Sequence, residues 1–162
     1  MRSSVGSLLK TGIFTILVPG TAVGVVPWWL RHNAPIALAG PQRWAAFAII
    51  AAGIAISLHT AFWGFALIGG GTPAPIDPPK RLVVTGLHRL VRNPMYIGVL
   101  LVIGGQAWLF RSLPTTIYLA CFGIAAHLFV VFYEEPTLRR QFGEEYEQYC
   151  ASVPRWIPKI RF

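Results

Sequence analysis

Residues 86–98 read GLHRLVRNPMYIG, and they lead a polar, cationic segment directly into an apolar stretch. Asn93 is a favourable helix N-cap and Pro94 suits the first helical position, so a helix with free backbone N–H groups is predicted to begin here. Arg92 lies one residue before that cap, and Tyr96 lies in the first turn. Together these groups predict an anion- and cofactor-binding corner at the boundary of a membrane.

The rest of the composition agrees with a membrane setting. Of the 162 residues, 54% are hydrophobic and only 12% are charged, which is atypical of a soluble domain. Four apolar stretches contain no Asp, Glu, Lys or Arg: residues 11–30, 44–68, 96–110 and 112–133. The third is short, and its span is taken to begin at Pro94, with residues 92–95 at the interface. The predicted fold is therefore an all-α, multi-pass membrane bundle of about four transmembrane helices, the last two forming an antiparallel hairpin.

The charges orient this bundle, because basic residues that flank spans favour the cytoplasm. Only Arg31, Arg43 and Arg111 fall on one side of a four-span topology, and all six acidic residues fall on the other. The basic residues on that second side are Arg2, Lys10, Lys80, Arg81, Arg89, Arg92, Arg139, Arg140, Arg155, Lys159 and Arg161. Both termini and the loop before Pro94 are thus predicted to be cytoplasmic in a cell membrane. The net charge of +8 indicates topology and anionic lipid, not nucleic acid.

Other local features restrict the interpretation. The first apolar stretch is long and lacks an evident cleavage site, so it is expected to be a retained span and not a signal peptide. Cys121 and Cys150 have no CxxC spacing, which indicates neither a disulfide framework nor a zinc or other metal site. Residues 69–79, GGGTPAPIDPP, predict an ordered loop or linker.

A cytoplasmic tail, residues 134–162, is predicted to begin at Glu134-Glu135-Pro136, where charge density rises and the proline interrupts or restarts the helix. Residues 137–150 are expected to form one amphipathic helix. Trp156 and Phe162 suit the headgroup layer. The tail is either a membrane-surface anchor or a lid over a site. The apolar face of its helix would consist of Leu138, Phe142, Tyr146 and Tyr149.

Several ionisable residues near or within the apolar stretches have two interpretations. Glu134 and Glu135 end the fourth span, where the helix dipole disfavours each negative charge by about 0.3–1 kcal/mol. Water or the nearby Arg139 and Arg140 could compensate, or a bound ligand facing Arg92 could do so. His59 and His127 lie within spans, and each is either a functional group or a neutral, hydrogen-bonded packing residue.

Two segments carry a family resemblance. Residues 71–98, GTPAPIDPPKRLVVTGLHRLVRNPMYIG, and residues 133–158, YEEPTLRRQFGEEYEQYCASVPRWIP, resemble the isoprenylcysteine carboxyl methyltransferase family. The wider group includes membrane phospholipid N-methyltransferases. The specific combination is G-x-x-x-x-x-R-[HN]-P-x-Y-x-G with a distant E-E and F-G-x-x-Y.

This resemblance implies an enzyme that transfers a methyl group from S-adenosyl-L-methionine, bound at the cytosolic face, to an amphiphile arriving from the bilayer, with S-adenosyl-L-homocysteine as product. It implies one methyltransferase domain over residues 1–162, with a cofactor loop over residues 71–98. The implied catalytic residues are Arg92, Glu134 and Glu135. The implied cofactor-binding residues are Lys80, Leu82, Val83, His88, Asn93, Pro94, Met95, Tyr96 and Glu134.

Two departures from the family pattern concern the cofactor pocket and the acceptor. His88 stands where the family commonly has an aromatic residue, and Val130 stands where the eukaryotic prenylcysteine enzymes have an arginine suited to the substrate carboxylate. The loss of that arginine weakens the case for a prenylcysteine acceptor. Methylation of a phospholipid or a small thiol remains an alternative, for which His88, a glutamate or solvent could accept the proton. A noncatalytic lipid-binding protein of the same fold is the alternative outside enzymes.

Overall fold

The computed structural model describes residues 2–32, 34–70 and 80–158, and every regular element in these ranges is a helix. Residues 71–79 of the loop predicted over residues 69–79, and the last four residues, which include Phe162, lie outside the described ranges. Three helices contain a π-helical segment: Thr21–Val25, His59–Gly69 and Val130–Glu134. The α-helices are α1 (Arg2–Gly20), α2 (Val26–Leu30), α3 (Gly40–Leu58), α4 (Pro94–Phe110), α5 (Leu113–Phe129), α6 (Glu135–Phe142) and α7 (Glu144–Ser152).

Three continuous helical stretches are long and apolar enough to cross a membrane: Leu8–Leu30, Gly40–Gly69 and Leu113–Phe142. The stretch Leu113–Phe142 is the fourth span. The remaining apolar helix, α4, corresponds to the predicted third span and has 17 residues. At 1.5 Å per residue it is about 25 Å long, somewhat short of the roughly 30 Å hydrocarbon layer. Large apolar side chains such as Ile16, Trp29 and Phe132 are more than 70% exposed, as expected of helix faces that contact lipid. The chain is a membrane protein, and the predicted all-α bundle is confirmed.

Helix α4 begins at Pro94 as predicted, but the expected cap at Asn93 is wrong. The Asn93 side chain makes no capping hydrogen bond, and its backbone lies at φ −122°, ψ 54°. Its amide Nδ2 instead donates to the main-chain carbonyl of Arg155, at 3.3 Å. The asparagine therefore ties the C-terminal segment to the start of α4.

Helices α3 and α4 pack closely through small residues. A Cβ atom built on Gly53 would lie 2.6 Å from the carbonyl oxygen of Gly98, and one built on Gly98 would lie 2.7 Å from that of Gly53. A Cβ atom on Gly105 would lie 2.6 Å from Ile50. Lipid provides no hydrophobic driving force between helices, so close backbone approach of this kind supplies the dispersion contacts that hold them together.

The predicted hairpin of the last two spans is present, since α4 and α5 contact each other across a two-residue connection. Arg111 ends α4 in the left-handed region, at φ 47°. Ser112 then caps α5, because its side-chain oxygen accepts from the backbone N–H of Thr115 at 3.3 Å.

The π-helical segment of the first span is held by side chains from α4 and α5. Pro27 has no N–H, so carbonyl groups of the preceding turn lose a helical partner. Gln106 Nε2 donates to the carbonyl of Val23 at 2.7 Å, and the Tyr118 hydroxyl donates to that of Ala22 at 3.1 Å. These bonds satisfy polar groups within the membrane and fix the first span against the bundle.

The single tail helix predicted over residues 137–150 is wrong. The fourth span continues through a π-helical segment into α6, with Pro136 in its first turn, and the chain breaks at Gly143 before α7. Gly143 has φ 53°, a conformation that favours glycine. The predicted apolar side chains nevertheless pack together across the break: Tyr146, Tyr149 and Val153 are buried, with Leu138, Phe142, Cys150 and Leu82 against them.

Candidate active site

A cavity of about 450 Å³ lies where α1, the start of α4, the end of the fourth span and the C-terminal helices meet. This volume is within the range of about 300–1,000 Å³ that is typical of small-molecule sites. All three π-helical segments contribute to its wall, through Ala22, Phe65 and Glu134. π-helical turns are frequent at functional sites, since the extra residue turns side chains to a new face of the helix.

The cavity brings together nearly all the residues that the sequence predicted for the site. Lys80 is the exception: it does not line the cavity and is exposed, and its backbone N–H donates to the carbonyl of Gly69 at 2.9 Å. The predicted residues in the wall are Leu82, Val83, His88, Arg92, Asn93, Pro94, Met95, Tyr96, Glu134 and Glu135.

The two adjacent glutamates differ in their contacts. Glu134 accepts a hydrogen bond from the hydroxyl of Tyr96 at 3.1 Å, which joins the start of α4 to the end of the fourth span. Glu135 is only 3% exposed, and both its oxygens accept from Arg155, at 2.6 and 2.9 Å. Both oxygens of Glu135 are therefore paired with a protein group, whereas Glu134 lines the cavity with a hydrogen bond from Tyr96 to one of its oxygens.

Further guanidinium groups surround Glu135. Arg92 Nη2 lies 3.4 Å from Glu135 Oε1, and Arg139 Nη1 lies 3.9 Å from Oε2. Arg139 is also paired with Glu147, at 2.7 Å. The hydrogen bond to Glu135 raises the pKa of Arg155 above its ordinary value. Of the compensating groups expected from the sequence, Arg139 is near Glu135, but Arg140 instead contacts Thr137, and Arg155 is the principal partner.

Arg92 contacts several groups, yet one of its hydrogen-bond donors has no partner among the described residues. Its backbone N–H donates to the carbonyl of Pro154 at 2.9 Å, and its Nη1 contacts Cys150 Sγ. The side chain is 10% exposed. The buried Nε atom makes no hydrogen bond to any of the residues that the structure describes. A buried cationic donor without a partner costs about 1–3 kcal/mol or more.

His88 is buried in the wall, at 6% exposed. Its ring meets Phe65 edge-on, with the centroids 5.6 Å apart, and the space for it depends on Gly64, where a Cβ atom would lie 3.2 Å from the imidazole. Burial, aided by the charge of His59, lowers the pKa of His88 from 6.5 to about 4. The imidazole is therefore neutral at pH 7.

The C-terminal segment closes one side of the cavity. Tyr146 and Tyr149 line it, and the Tyr149 hydroxyl donates to the main-chain carbonyl of His88 at 2.7 Å. The indole of Trp156 lies near the ring of Tyr96, with the centroids 6.3 Å apart. These contacts favour the lid alternative for the tail over a simple surface anchor.

The two span histidines have packing contacts and do not line the cavity. His127 Nδ1 accepts a hydrogen bond from the Trp156 indole at 3.1 Å. His59 stacks on Trp63, with ring centroids 6.3 Å apart. The hydrogen bond of His127 matches the packing alternative, whereas His59 has a ring contact with Trp63.

Sequence reasoning missed two contributors to the site. Arg155 stands 20 residues after Glu135, a separation with no periodic signal, and only its place between two prolines marks it as part of a turn. The first span has no motif, yet it contributes Phe14, Val18, Pro19 and Ala22 to the wall. No pattern in the sequence identifies which face of that helix meets the cavity.

The comparison with known families agrees with this architecture. A sequence model described as phospholipid methyltransferase matches residues 41–145. The chain belongs to the phospholipid methyltransferase family. The matched residues include the second span, α4, the whole fourth span and both glutamates. The family predicted from the sequence motifs is thereby confirmed.

Relatives within the wider group carry a second name. Two rice proteins, from Oryza sativa subsp. indica and Oryza sativa subsp. japonica, are each named probable protein-S-isoprenylcysteine O-methyltransferase. Each is 36% identical to this chain over 88 residues, which is 52% of this chain and 44% of the rice protein. The chain thus matches less than half of the length of these curated relatives.

Proposed function

We propose that this family member is an integral membrane methyltransferase that uses S-adenosyl-L-methionine to methylate a lipid-like or small amphiphilic acceptor. One observation carries the proposal: a single cavity combines the cationic side chain of Arg92, the carboxylate of Glu134 and an apolar wall. The apolar wall comes from Phe14 and Val18 of α1 and from Phe122 and Phe129 of α5.

The residues present suit the charged parts of this methyl donor. The guanidinium of Arg92, which lines the cavity, would donate to the methionyl carboxylate. The carboxylate of Glu134 would accept from the ribose hydroxyls or offset the sulfonium charge. Leu82 and Val83 would offer apolar contact and backbone groups beside His88. The cavity volume of about 450 Å³ is adequate for a donor of this class with part of an acceptor.

The donor supplies an already activated methyl group, so the protein has little covalent chemistry to perform. Its residues would orient the two reactants in line and exclude water, which can contribute on the order of 7–11 kcal/mol. A carboxylate acceptor needs no base. An amine or thiol must lose a proton, and His88, with its pKa lowered to about 4, is neutral at pH 7 but a weak base.

Two acceptor classes follow from different observations. The name of the rice relatives favours the carboxylate of an isoprenylcysteine. The family description favours a phospholipid amine, and so does Val130, which is fully buried and supplies no cation for a substrate carboxylate. We propose the isoprenylcysteine-like acceptor as the first class to assay and the phospholipid or thiol as the second.

We further propose that residues 1–162 act as one domain, with the cavity and both termini on the cytoplasmic side. The basic residues at the cavity end of the spans are Arg81, Arg89, Arg139 and Arg140. Those at the other end are Arg31, Arg43 and Arg111. The excess of basic residues around the cavity supports this orientation.

The first experiment is calorimetric titration of the detergent-purified protein with S-adenosyl-L-methionine and S-adenosyl-L-homocysteine. Saturable binding that Glu134→Gln weakens at least tenfold, with unchanged helical content, would support the proposed site. No binding by well-folded protein would instead indicate a noncatalytic, lipid-binding role.

The acceptor is tested separately with radiolabelled donor and protein in lipid vesicles. Farnesylcysteine, phosphatidylethanolamine and a small thiol would be offered in parallel, and the labelled product identified by base lability. A base-labile methyl ester would indicate a carboxylate acceptor, whereas a base-stable product would indicate an amine or thiol.

A further inference from the structure

Arg155 does not line the cavity, yet it pairs with Glu135, which does. Its guanidinium donates hydrogen bonds to both oxygens of Glu135, from Nε at 2.6 Å and from Nη2 at 2.9 Å. This is the bidentate geometry that makes arginine–carboxylate pairs strong. Arg92 reaches the same carboxylate by one longer contact, Nη2 to Oε1 at 3.4 Å.

The two arginines therefore compete for one buried anion. Arg139 adds little to this balance, because it lies 3.9 Å from Glu135 and is paired more closely with Glu147. Among the described residues, the Glu135 carboxylate is thus shared by the full charges of Arg92 and Arg155, and these three groups together carry one net positive charge. Of these two arginines, Arg92 lines the cavity and Arg155 does not, so the share of that charge on Arg92 lies in the cavity wall.

Arg155 is itself fixed by the backbone around it. Its main-chain carbonyl accepts from Asn93 Nδ2 at 3.3 Å, and the carbonyl of the preceding Pro154 accepts from the N–H of Arg92 at 2.9 Å. Because both bonds join residues 154–155 to the residues just before α4, the guanidinium of Arg155 is held in register with that of Arg92.

We propose that Arg155 is a positioning residue: it occupies Glu135 and so keeps Arg92 free to bind the carboxylate of the methyl donor. The inference rests on the proposed function, and it assigns the two glutamates different roles. Glu135 balances and orients the arginines, while Glu134 is the carboxylate offered to the ligand. If Arg155 were removed, Glu135 would turn to Arg92, form the bidentate pair and neutralise the anion site.

The test compares two donors in binding assays on the full chain in detergent: S-adenosyl-L-methionine and its decarboxylated analogue, which lacks the methionyl carboxylate. Arg155→Gln should reduce affinity for the first roughly tenfold, the size expected for a charge-assisted hydrogen bond. Affinity for the decarboxylated analogue should change less than about twofold, because this analogue has no carboxylate for Arg92 to bind. Arg140→Gln, which removes an exposed cation on α6, is the matched control and should leave both affinities unchanged.

A rescue variant separates positioning from simple structural support. Adding Glu135→Gln to Arg155→Gln removes the anion that would capture Arg92, so affinity for S-adenosyl-L-methionine should return to within about threefold of the wild type. Arg155→Lys keeps the positive charge but cannot form the bidentate pair with Glu135, so its affinity for S-adenosyl-L-methionine should lie between those of the wild type and Arg155→Gln. If Arg155→Gln fails to fold, the two donors are compared in Arg155→Lys instead.

The outcomes distinguish the two proposals. Equal losses for both donors, or no rescue by Glu135→Gln, would make Arg155 merely structural and overturn the positioning role. If Arg155→Gln and Arg155→Lys both bind both donors like the wild type, the role is also overturned. If wild-type protein binds neither donor, the proposed function itself fails, and the role of Arg155 fails with it.

Discussion

The hydroxyl of Tyr149 donates a hydrogen bond of 2.7 Å to the main-chain carbonyl of His88, across 61 residues of sequence. The bond fixes helix α7 to the turn before α4, and both residues line the cavity. Through this contact, the C-terminal segment becomes part of the wall.

Removing that hydroxyl tests whether the tail is a lid. Tyr149→Phe should lower the free energy of unfolding by about 1 kcal/mol, because the carbonyl of His88 loses its donor. Tyr149→Ala should cost about 3–5 kcal/mol in addition to reducing activity, because the buried ring is lost as well. Thermal unfolding in detergent and activity with radiolabelled donor would measure both. Full activity in a folded Tyr149→Ala variant would contradict the lid and restore the anchor interpretation.

Tyr96→Phe tests the hydrogen bond that orients Glu134. The ring remains in place, but the carboxylate loses its 3.1 Å partner. We expect affinity for S-adenosyl-L-methionine to fall about fivefold, which corresponds to roughly 1 kcal/mol. The control is Tyr118→Phe, which removes a hydroxyl bonded to the carbonyl of Ala22 and should lower the melting temperature without this loss of affinity. Similar losses in both variants would show that the effect is on the fold.

Acid should destabilise the protein through His88. Its pKa is lowered from 6.5 to about 4 in the folded state, so between these pH values the unfolded chain binds more protons than the folded one. The associated stability is present above pH 6.5 and is lost as the pH falls towards 4, by an amount of about 3 kcal/mol. Unfolding measured from pH 7.5 to 4 should reveal this decline, and His88→Gln should make it shallower. An identical slope in the variant would assign the decline to other groups.

Gly98→Ala tests the close packing of α3 on α4. The new Cβ would lie 2.7 Å from the carbonyl of Gly53, so the helices must separate, at a cost of about 1–3 kcal/mol. Gly104→Ala is the matched control on the same helix, since its Cβ would meet Leu119 at an ordinary 3.6 Å. Melting temperatures in detergent should fall for the first variant only. If both melt like the wild type, the interface is looser than these distances indicate.

Much of the fold was predictable because lipid imposes strict rules on a sequence. Backbone groups must be satisfied within each span, so uncharged stretches of about 20 residues become helices. The start of α4 at Pro94 followed from the restricted φ of proline. The break between α6 and α7 at Gly143 was missed because the amphipathic pattern continues across it. A single glycine with positive φ is enough to end one helix and begin the next. The Asn93 cap was wrong because a tertiary acceptor, the carbonyl of Arg155, took its side chain.

The candidate site was predictable as a set of residues but not as an arrangement. By itself, the sequence determined the membrane setting, the helical class, the family and the residues that converge on the cavity, because span length, charge distribution and motif are properties of the chain. Only the tertiary structure decided that Glu135 is occupied by Arg155, that Glu134 faces the cavity with Tyr96, and that the first span supplies part of the wall. Hydrogen bonds between residues 20 to 60 positions apart depend on how the helices pack, and no local periodicity specifies that packing.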